Sequence, residues 1–466
     1  MLRIAPIPYS SRRRGVNHIG GKQPATSLPN PHSALQSKVL VPSLAVGHKQ
    51  APALPRAKQN SRIEGTPAPM YPLLSGLRII DITTIVLGPF ATQFLGDLGA
   101  EVIKIETVDG DMNRYTPPTT GPGLGAVFVN NNRNKRSVAL DLKNEEGKEV
   151  LRRLIKTGDV LVHNMRQDAL DRLGFSWDKV HALNPSLIYC AALGYGSDGP
   201  YSGKPAYDDI IQGSSGLAGL THRRDGTPAY HPTVTADKAG GLHVVYAVLA
   251  ALLYRERNGG KGQLVEMPMF EAMAAFSLNE HLMGASFEEK GPTGYHRTLS
   301  QNRKPFPTSD GWIALLPYTQ TQWARVLTLL GREDLTKEPW FSNNAERSKR
   351  SDELYALIAA SLGGRASAEW LEIFEKADVP CGVVHTPDSL LDDPHLKAVG
   401  FFEPNFEHDI GIVRTLRQPV IFRGIEAEPD RAPPPLGADT RALLTDLGYS
   451  EAEIGTLLDK RIAAGK

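Results

Sequence analysis

An aspartate set among small residues just before a long apolar run can be held partly out of water and still be reached by a bulky partner. Asp237 stands so in THRRDGTPAYHPTVTADKAGG, and upstream, in KPAYDDIIQGSSGLAG, the pair Tyr207 and Asp208 adds a phenol and a second carboxylate. A partly dehydrated carboxylate can attack a thioester to give a mixed anhydride, splitting one difficult transfer into easier covalent steps. Ala236, Ala239, Gly240 and Gly241 flank Asp237. Their size would let an acyl thioester approach closely where loop turns into helix. An acid that merely caps the following helix reads the same way in this tract, and the choice falls to other motifs.

The elements that must position these groups begin after Gly76. There LRIIDITTIVLGPFATQFLGDLGAEVIKIE reads as a β-branched run, a Gly-Pro turn, a helix of 3.6-residue period and a second strand, which is a βαβ opening. Strand-like runs (IIDIT, EVIKIE, SVALDL, VLVHN, LIYCAAL) then alternate with helical ones. The pattern predicts a large open α/β domain, Rossmann-like and doubly wound, over 71–268. A linker with helical content, EMPMFEAMAAFSLNEHLM, follows over 269–290, and a smaller α/β domain, with WIALLPY and the helices TQTQWARVLTLLG and SAEWLEIFEKA, over 291–393. Residues 394–466 hold GIVRTLRQPVIF, a Pro-rich strap and a helix around TRALLTDLGY. The GPF turn lacks GxGxxG and is not read as a dinucleotide site.

Composition narrows the function classes. The 466 residues carry a net charge of +1, which hides an asymmetry: residues 1–70 hold ten of the 52 basic residues and one of the 51 acidic ones, Glu64. The remainder, with 42 basic and 50 acidic residues, is net acidic. It shows no basic stripe with stacking aromatics, so nucleic-acid binding is not expected. The leader MLRIAPIPYSSRRRGVNHIGG is Arg-bearing and acid-free, the composition of a mitochondrial transit peptide, with a matrix location expected and a cytoplasmic one the alternative. The Pro-rich continuation should be disordered. No uninterrupted apolar run reaches the roughly 18–20 residues of a bilayer span, and the nearest, residues 239–254, reads as a buried helix. Cys190 and Cys381 fit neither a disulfide framework nor a metal spacing and are expected to be inert thiols. No metal site is expected.

Taken in order, these tracts together with NNNRNKRSVALDLKNEEGKEVLRRLIKTGDVLVHNMRQDALDRLGF and LNPSLIYCAALGYGSDGPYSGKPAYDD resemble the class III CoA-transferases, the family of formyl-CoA transferase, carnitine CoA-transferase and succinyl-CoA:glutarate CoA-transferase, which also contains α-methylacyl-CoA racemase. The resemblance runs from about Leu74 to the C-terminus. It implies that Asp237 is the nucleophile and that Tyr207 and Asp208 are the Tyr-acid pair beside it, Tyr207 orienting the thioester and Asp208 shaping or gating the site. It also implies that Val86 and Leu87 line the pantetheine entry, that Leu140 and Lys143 lie near the adenine, and that Asn164, Met165, Arg166 and Arg172 contact the nucleotide. Lys135 and Arg136 are further basic candidates for the phosphates. Where the family often has a basic residue after VIKIE, Thr107 stands here. The resemblance further implies an interlocked homodimer whose C-terminal stretch returns to the large domain.

The implied function is transfer of CoA from an acyl-CoA, such as succinyl-CoA, to a carboxylic acid, such as a dicarboxylate, through an aspartyl-CoA thioester. CoA thioesters enter as substrates, not as a resident cofactor. Backbone N–H groups at Ala239-Gly240-Gly241 or near Tyr207 are candidates for the oxyanion donors. His296, Arg297, Arg303 and Lys304 are candidates to receive a distal carboxylate. One rival is a racemase or epimerase of the same fold. It needs two acid/base groups flanking an α-carbon, one of them a histidine in the family where Tyr207 stands here, and a phenol with an ordinary pKa near 10 is a poor base. A non-catalytic CoA-binding protein is the other, and it has little use for Asp237.

Overall fold

The β-branched runs found in the sequence become the inner strands of one sheet, because residues buried on both faces favour the parallel arrangement. The computed structural model describes residues 69–465 apart from 120, 122, 288–290, 403, 404, 409 and 410. In chain order the large sheet uses β1 (Arg78–Asp81), β2 (Glu101–Glu106), β3 (Lys135–Leu140), β4 (Val160–His163), β5 (Ile188–Leu193) and β6 (Leu264–Pro268). Its spatial order is β3-β2-β1-β4-β5-β6, all parallel, with Ala463–Ala464 added antiparallel outside β3. The chain therefore winds outward in one direction from β1 and in the other from β4. The crevice at the carboxyl ends of those two strands is where such a sheet binds ligands. β6 follows the turn NGGKGQ and was not among the expected strands.

Helices cover both faces: α1 (Leu87–Asp97), α2 (Glu145–Thr157), α3 (Gln167–Leu173), α4 (Trp177–Leu183), α5 (Asp208–Ser214), α6 (Leu217–Asp225), α7 (Thr235–Arg257) and α8 (Met269–Leu278). Alternate strand residues feed opposite cores. Ile80, Ile103 and Leu161 join α2 on one side, and Ile79, Val102, Val160 and Val162 join α1 and α7 on the other. α2 shows the local logic. Asn144 caps the N–H of Glu146 at 2.9 Å, Glu145 and Glu146 complement the helix dipole, and Val150, Leu151, Leu154 and Ile155 form the buried stripe. Each such burial contributes about 1.5–3 kcal/mol, and Leu154→Ala would cost about 2–5 kcal/mol.

All described residues lie in one compact unit. Within it, residues of the smaller α/β region have a core of their own, made by Trp323, Val326, Ile358 and Phe374. A three-stranded antiparallel sheet (Phe306–Pro307, Trp312–Leu315, Cys381–Val383) is covered there by α9 (Gln320–Leu329), α10 (Ser351–Ser361) and α11 (Ser367–Lys376). The C-terminal helices α12 (Thr440–Asp446) and α13 (Glu451–Asp459) send Leu443, Leu444, Ile454 and Leu457 back into the core of the large sheet.

Three boundaries differ from expectation. The segment 269–290 is not a free linker, because Met269 and Met273 of α8 are buried in the large core. Pro69 and Met70, expected to close the leader, pair with Pro429 and Glu428, and the Met70 side chain is buried; the rest of the expected transit peptide lies outside the described residues. The apolar run at 239–254 extends into a 23-residue helix, α7, long and apolar enough by length and composition to cross a membrane. Here it buries one face, while Leu242, Tyr246, Leu253 and Tyr254 stay exposed on the other.

Candidate active site

The loop after β1 is held in a conformation its sequence does not favour. Ile85, β-branched, sits at φ 73°, in the left-handed region that such residues avoid. It stays there because both its backbone groups are taken. Its N–H donates to the Asp111 carboxylate (3.2 and 3.4 Å), and its carbonyl accepts from Asn113 Nδ2 at 2.6 Å. Asp111 is in turn paired with buried Lys104 at 3.1 Å, and Lys104 donates to Thr83 O at 2.9 Å. One residue on, Thr84 exchanges two hydrogen bonds with the Asn164 side chain (3.0 and 2.8 Å), tying this loop to the one after β4. Strain of this kind persists only where the surroundings over-determine it.

Asp237 lies in the first turn of α7 and Asp208 in the first turn of α5. The backbone N–H of Asp237 donates to Asp208 Oδ1 at 3.0 Å, and Gln212 Nε2 donates to Asp208 Oδ2 at 2.5 Å. Gln212, wholly buried, also donates to Thr233 O (3.2 Å) and accepts from the N–H of His231 (2.9 Å). It thus ties α5 to the segment that leads into Asp237. Burial first, and the charge of Asp208 second, push the Asp237 carboxyl up to about 7. At neutral pH it is shared between acid and carboxylate, a poised state common at functional sites.

Asp237 opens onto a cavity of about 460 Å³ at the carboxyl ends of β1, β4 and β5. Val86, Leu87, Asn164, Met165, Arg166 and Tyr207 line it with Asp237. Asp208 is buried beside it, in contact through the Asp237 main chain. Leu140, Lys143 and Arg172 do not line it: Leu140 is 1% exposed in the core at the end of β3, and Lys143 and Arg172 are surface residues. Thr107 lies outside it too, its hydroxyl donating to Gly110 O. Sequence reasoning missed Trp177, Tyr195 and Lys204, which also line the cavity. Lys204 stands three residues before Tyr207 in KPAYDD, its ammonium 4.1 Å from the Tyr201 ring. Arg166 and Lys204 are the cations of the lining.

Several expectations are corrected by the packing. Gly240 and Gly241 do not make room for a substrate: a Cβ on Gly240 would fall 2.9 Å from Leu87 Cδ1, and one on Gly241 2.9 Å from Leu87 O. They let α7 and α1 approach, and, lying inside α7, the N–H groups of 239–241 belong to its own ladder rather than to an oxyanion. Lys135 is fully buried and bonded to Asp81 Oδ2 (3.0 Å), Pro89 O, Thr92 Oγ1 and Asn132 Oδ1. Burial opposes the Asp81 carboxylate, yet Lys135, Lys104 and the hydroxyls of Thr83 and Thr92 together outweigh it and bring it down to about 2. Arg136 is engaged by Glu101, Asp439 and Asp446. His296, Arg297, Arg303 and Lys304 line no part of this cavity. Cys190 is buried, its thiol pushed up to about 12 by desolvation.

The sequence model of CoA-transferase family III matches residues 74–440. The chain belongs to that family. It is 31% identical over 386 residues to the succinate–glutarate CoA-transferase of Agrobacterium fabrum, covering 81% of this chain and 96% of that one. A Mycobacterium tuberculosis protein named a probable fatty acyl-CoA transferase is 32% identical over 391 residues, covering 80% and 97%. Among solved structures, a CAIB/BAIF family protein from Brucella suis superposes with a TM-score of 0.69 at 32% identity, covering 80% of this chain and 99% of that one. As a family III member the chain is a CoA-transferase acting between acyl-CoA and carboxylic acids. In this chain the α/β crevice and Asp237 meet in one cavity.

Proposed function

We propose that CoA moves through a covalent thioester on Asp237. The carboxylate attacks the donor acyl carbon, the C–S bond breaks, and CoA leaves as thiolate from an aspartyl acyl anhydride. The thiolate then attacks the aspartyl carbonyl, freeing the donor acid and leaving aspartyl-CoA. The acceptor carboxylate attacks that thioester, and the thiolate returns to the new acyl carbon, restoring Asp237. One observation carries this reading: Asp237 is a half-buried acid in the wall of a cavity large enough for a thioester arm. Tyr207, 68% exposed at the N-cap of α5 and in the same wall, is available to orient the thioester. Arg166 and Lys204 are available to phosphate or carboxylate.

For the substrates we favour succinyl-CoA as donor and a dicarboxylate as acceptor. The name of the Agrobacterium relative supports this, and that of the Mycobacterium relative makes a fatty acid the competing arm. Among the described residues no histidine lines the cavity, which leaves a racemase without its imidazole base. The exposed apolar face of α7 (Leu242, Tyr246, Leu253, Tyr254) with Phe276 of α8 suits a second copy of the chain. Light scattering would read the homodimer. Residues 1 to about 60 would direct mitochondrial import, read by fusing them to a fluorescent reporter.

The deciding experiment is hydroxylamine trapping during turnover with succinyl-CoA and a panel of mono-, di- and long-chain carboxylic acids. A hydroxamate on the Asp237 peptide, lost in Asp237→Ala together with transfer, is expected. An unmodified peptide with α-proton exchange would replace the transfer mechanism by racemisation.

A further inference from the structure

In the smaller α/β region two guanidinium groups line one cavity, and among the described residues no carboxylate pairs with either. Arg347 is 6% exposed, and Arg297 is half-buried. Arg347 Nη1 donates to Phe341 O at 2.6 Å and Nη2 to Asn344 Oδ1 at 2.9 Å. Arg297 Nε donates to the Tyr295 hydroxyl at 3.1 Å, and its Nη1 is buried with no partner among the described residues. The rings of Tyr295 and Tyr318 lie 5.4 and 5.7 Å from the Arg297 guanidinium carbon. Both arginines line one cavity of about 120 Å³, with Tyr318, Ser348 and Ser351 around them.

Among the described residues, the nearby acids are committed elsewhere. On α10, Asp352 accepts from Ser300 Oγ (2.6 Å) and Asn302 Nδ2 (3.0 Å), and Glu353 pairs with Arg350 (3.1 Å). Glu346 pairs with Lys349 at 2.6 Å. Burial acts on Arg347 with no carboxylate to offset it and lowers its guanidinium below the usual range. Two like charges held at one cavity, one with an unfilled buried donor, are a natural seat for an anion.

We propose that this cavity binds a small oxyanion, a carboxylate or inorganic phosphate, in a fork formed by Arg297 and Arg347. Guanidinium groups meet such anions with paired N–H bonds, and the space holds about four water-sized groups, enough for the anion and far too little for CoA. The occupant is distinct from the acyl-CoA at Asp237, since the two cavities share no residue. Tyr355 connects it to a second cavity that carries Arg303, Lys304 and Cys381, so a longer acid could extend its chain there from the anchored carboxylate.

The test is calorimetric titration of the full chain with inorganic phosphate and, separately, with succinate, against chloride at matched ionic strength. Arg347→Gln also removes the bond to Phe341 O and so confounds folding with binding. Arg297→Gln is therefore the diagnostic variant, with Arg297→Lys as its conservative partner. Saturable binding is expected, weakened about tenfold or more in Arg297→Gln and less in Arg297→Lys, with a ligand-dependent rise in Tm that Arg297→Gln loses. Preference for phosphate or for succinate identifies the source of the anion. Equal response to chloride, or undiminished affinity in Arg297→Gln, overturns the site, and neither result bears on the chemistry at Asp237.

Discussion

The backbone N–H of Asp237 donates to Oδ1 of Asp208 at 3.0 Å, so the second acid is fixed beside the main chain of the first. The charge of Asp208 is the second cause, after burial, of the raised Asp237 carboxyl. With the Asp237 carboxylate as the proposed nucleophile, kcat/KM should climb as pH rises through about 7. In Asp208→Asn that acid limb should move down by on the order of one unit and yet stay above 3.8, since burial remains. A limb that does not move in the pH profile of this variant would remove the coupling.

Stability carries the same signature with its own sign. Folded Asp237 keeps its proton to about 7, while the unfolded chain releases it near 3.8. The group's contribution is therefore fully present below 3.8 and is lost as pH rises through about 7. Asp237→Asn should accordingly unfold at higher urea than wild type at pH 8, by about 2 kcal/mol after allowing for partial solvent access, with no gain at pH 4.

At Ile85 the left-handed backbone predicts an uncommon result for a cavity-lining substitution. Ile85→Gly should leave the protein as stable or slightly more so, because about 1 kcal/mol or more of strain is relieved. The loop would keep its backbone bonds, but the cavity wall would lose the Ile85 side chain. KM for acyl-CoA should rise several-fold with a smaller change in kcat, read from steady-state kinetics beside a melting curve.

Gly→Ala in a helix interior ordinarily gains about 1 kcal/mol. At Gly241 the sign should reverse, with a loss of about 1–3 kcal/mol, since the new methyl would lie 2.8 Å from Phe90 Cδ1 and 2.9 Å from Leu87 O. Chemical denaturation distinguishes the two signs directly.

Much of the scaffold was legible because it is written in local patterns. The β-branched runs at 79–81 and 160–163 are buried on both faces and could hardly be anything but inner strands. Asp237, Tyr207 and Asp208 were singled out through their tracts, and folding puts Asp237 and Tyr207 in the wall of one cavity with Asp208 buried behind Asp237. What escaped depends on long-range contact. Lys135 reads as a free cation until Asp81, 54 positions away, is seen to claim it. Gln212 looks like an ordinary helix residue until its bonds to Asp208, Thr233 and His231 are drawn. Gly240 and Gly241 sit close to Asp237 in sequence but serve the contact with α1, a distinction spacing cannot carry.

The N–H of Ala139, at the edge of the sheet, donates to Thr440 Oγ1, 301 positions later, and Ala463–Ala464 then closes the flank of β3. During synthesis that flank is a bare row of unpaired N–H and C=O groups, able to recruit any strand that comes near. The core under α2 likewise lacks Leu443, Leu444 and Ile454 until α12 and α13 arrive. The large sheet can be completed only after nearly all of this sequence has been made, so the nascent protein passes through a long, aggregation-exposed interval in which holdase chaperones have their natural target.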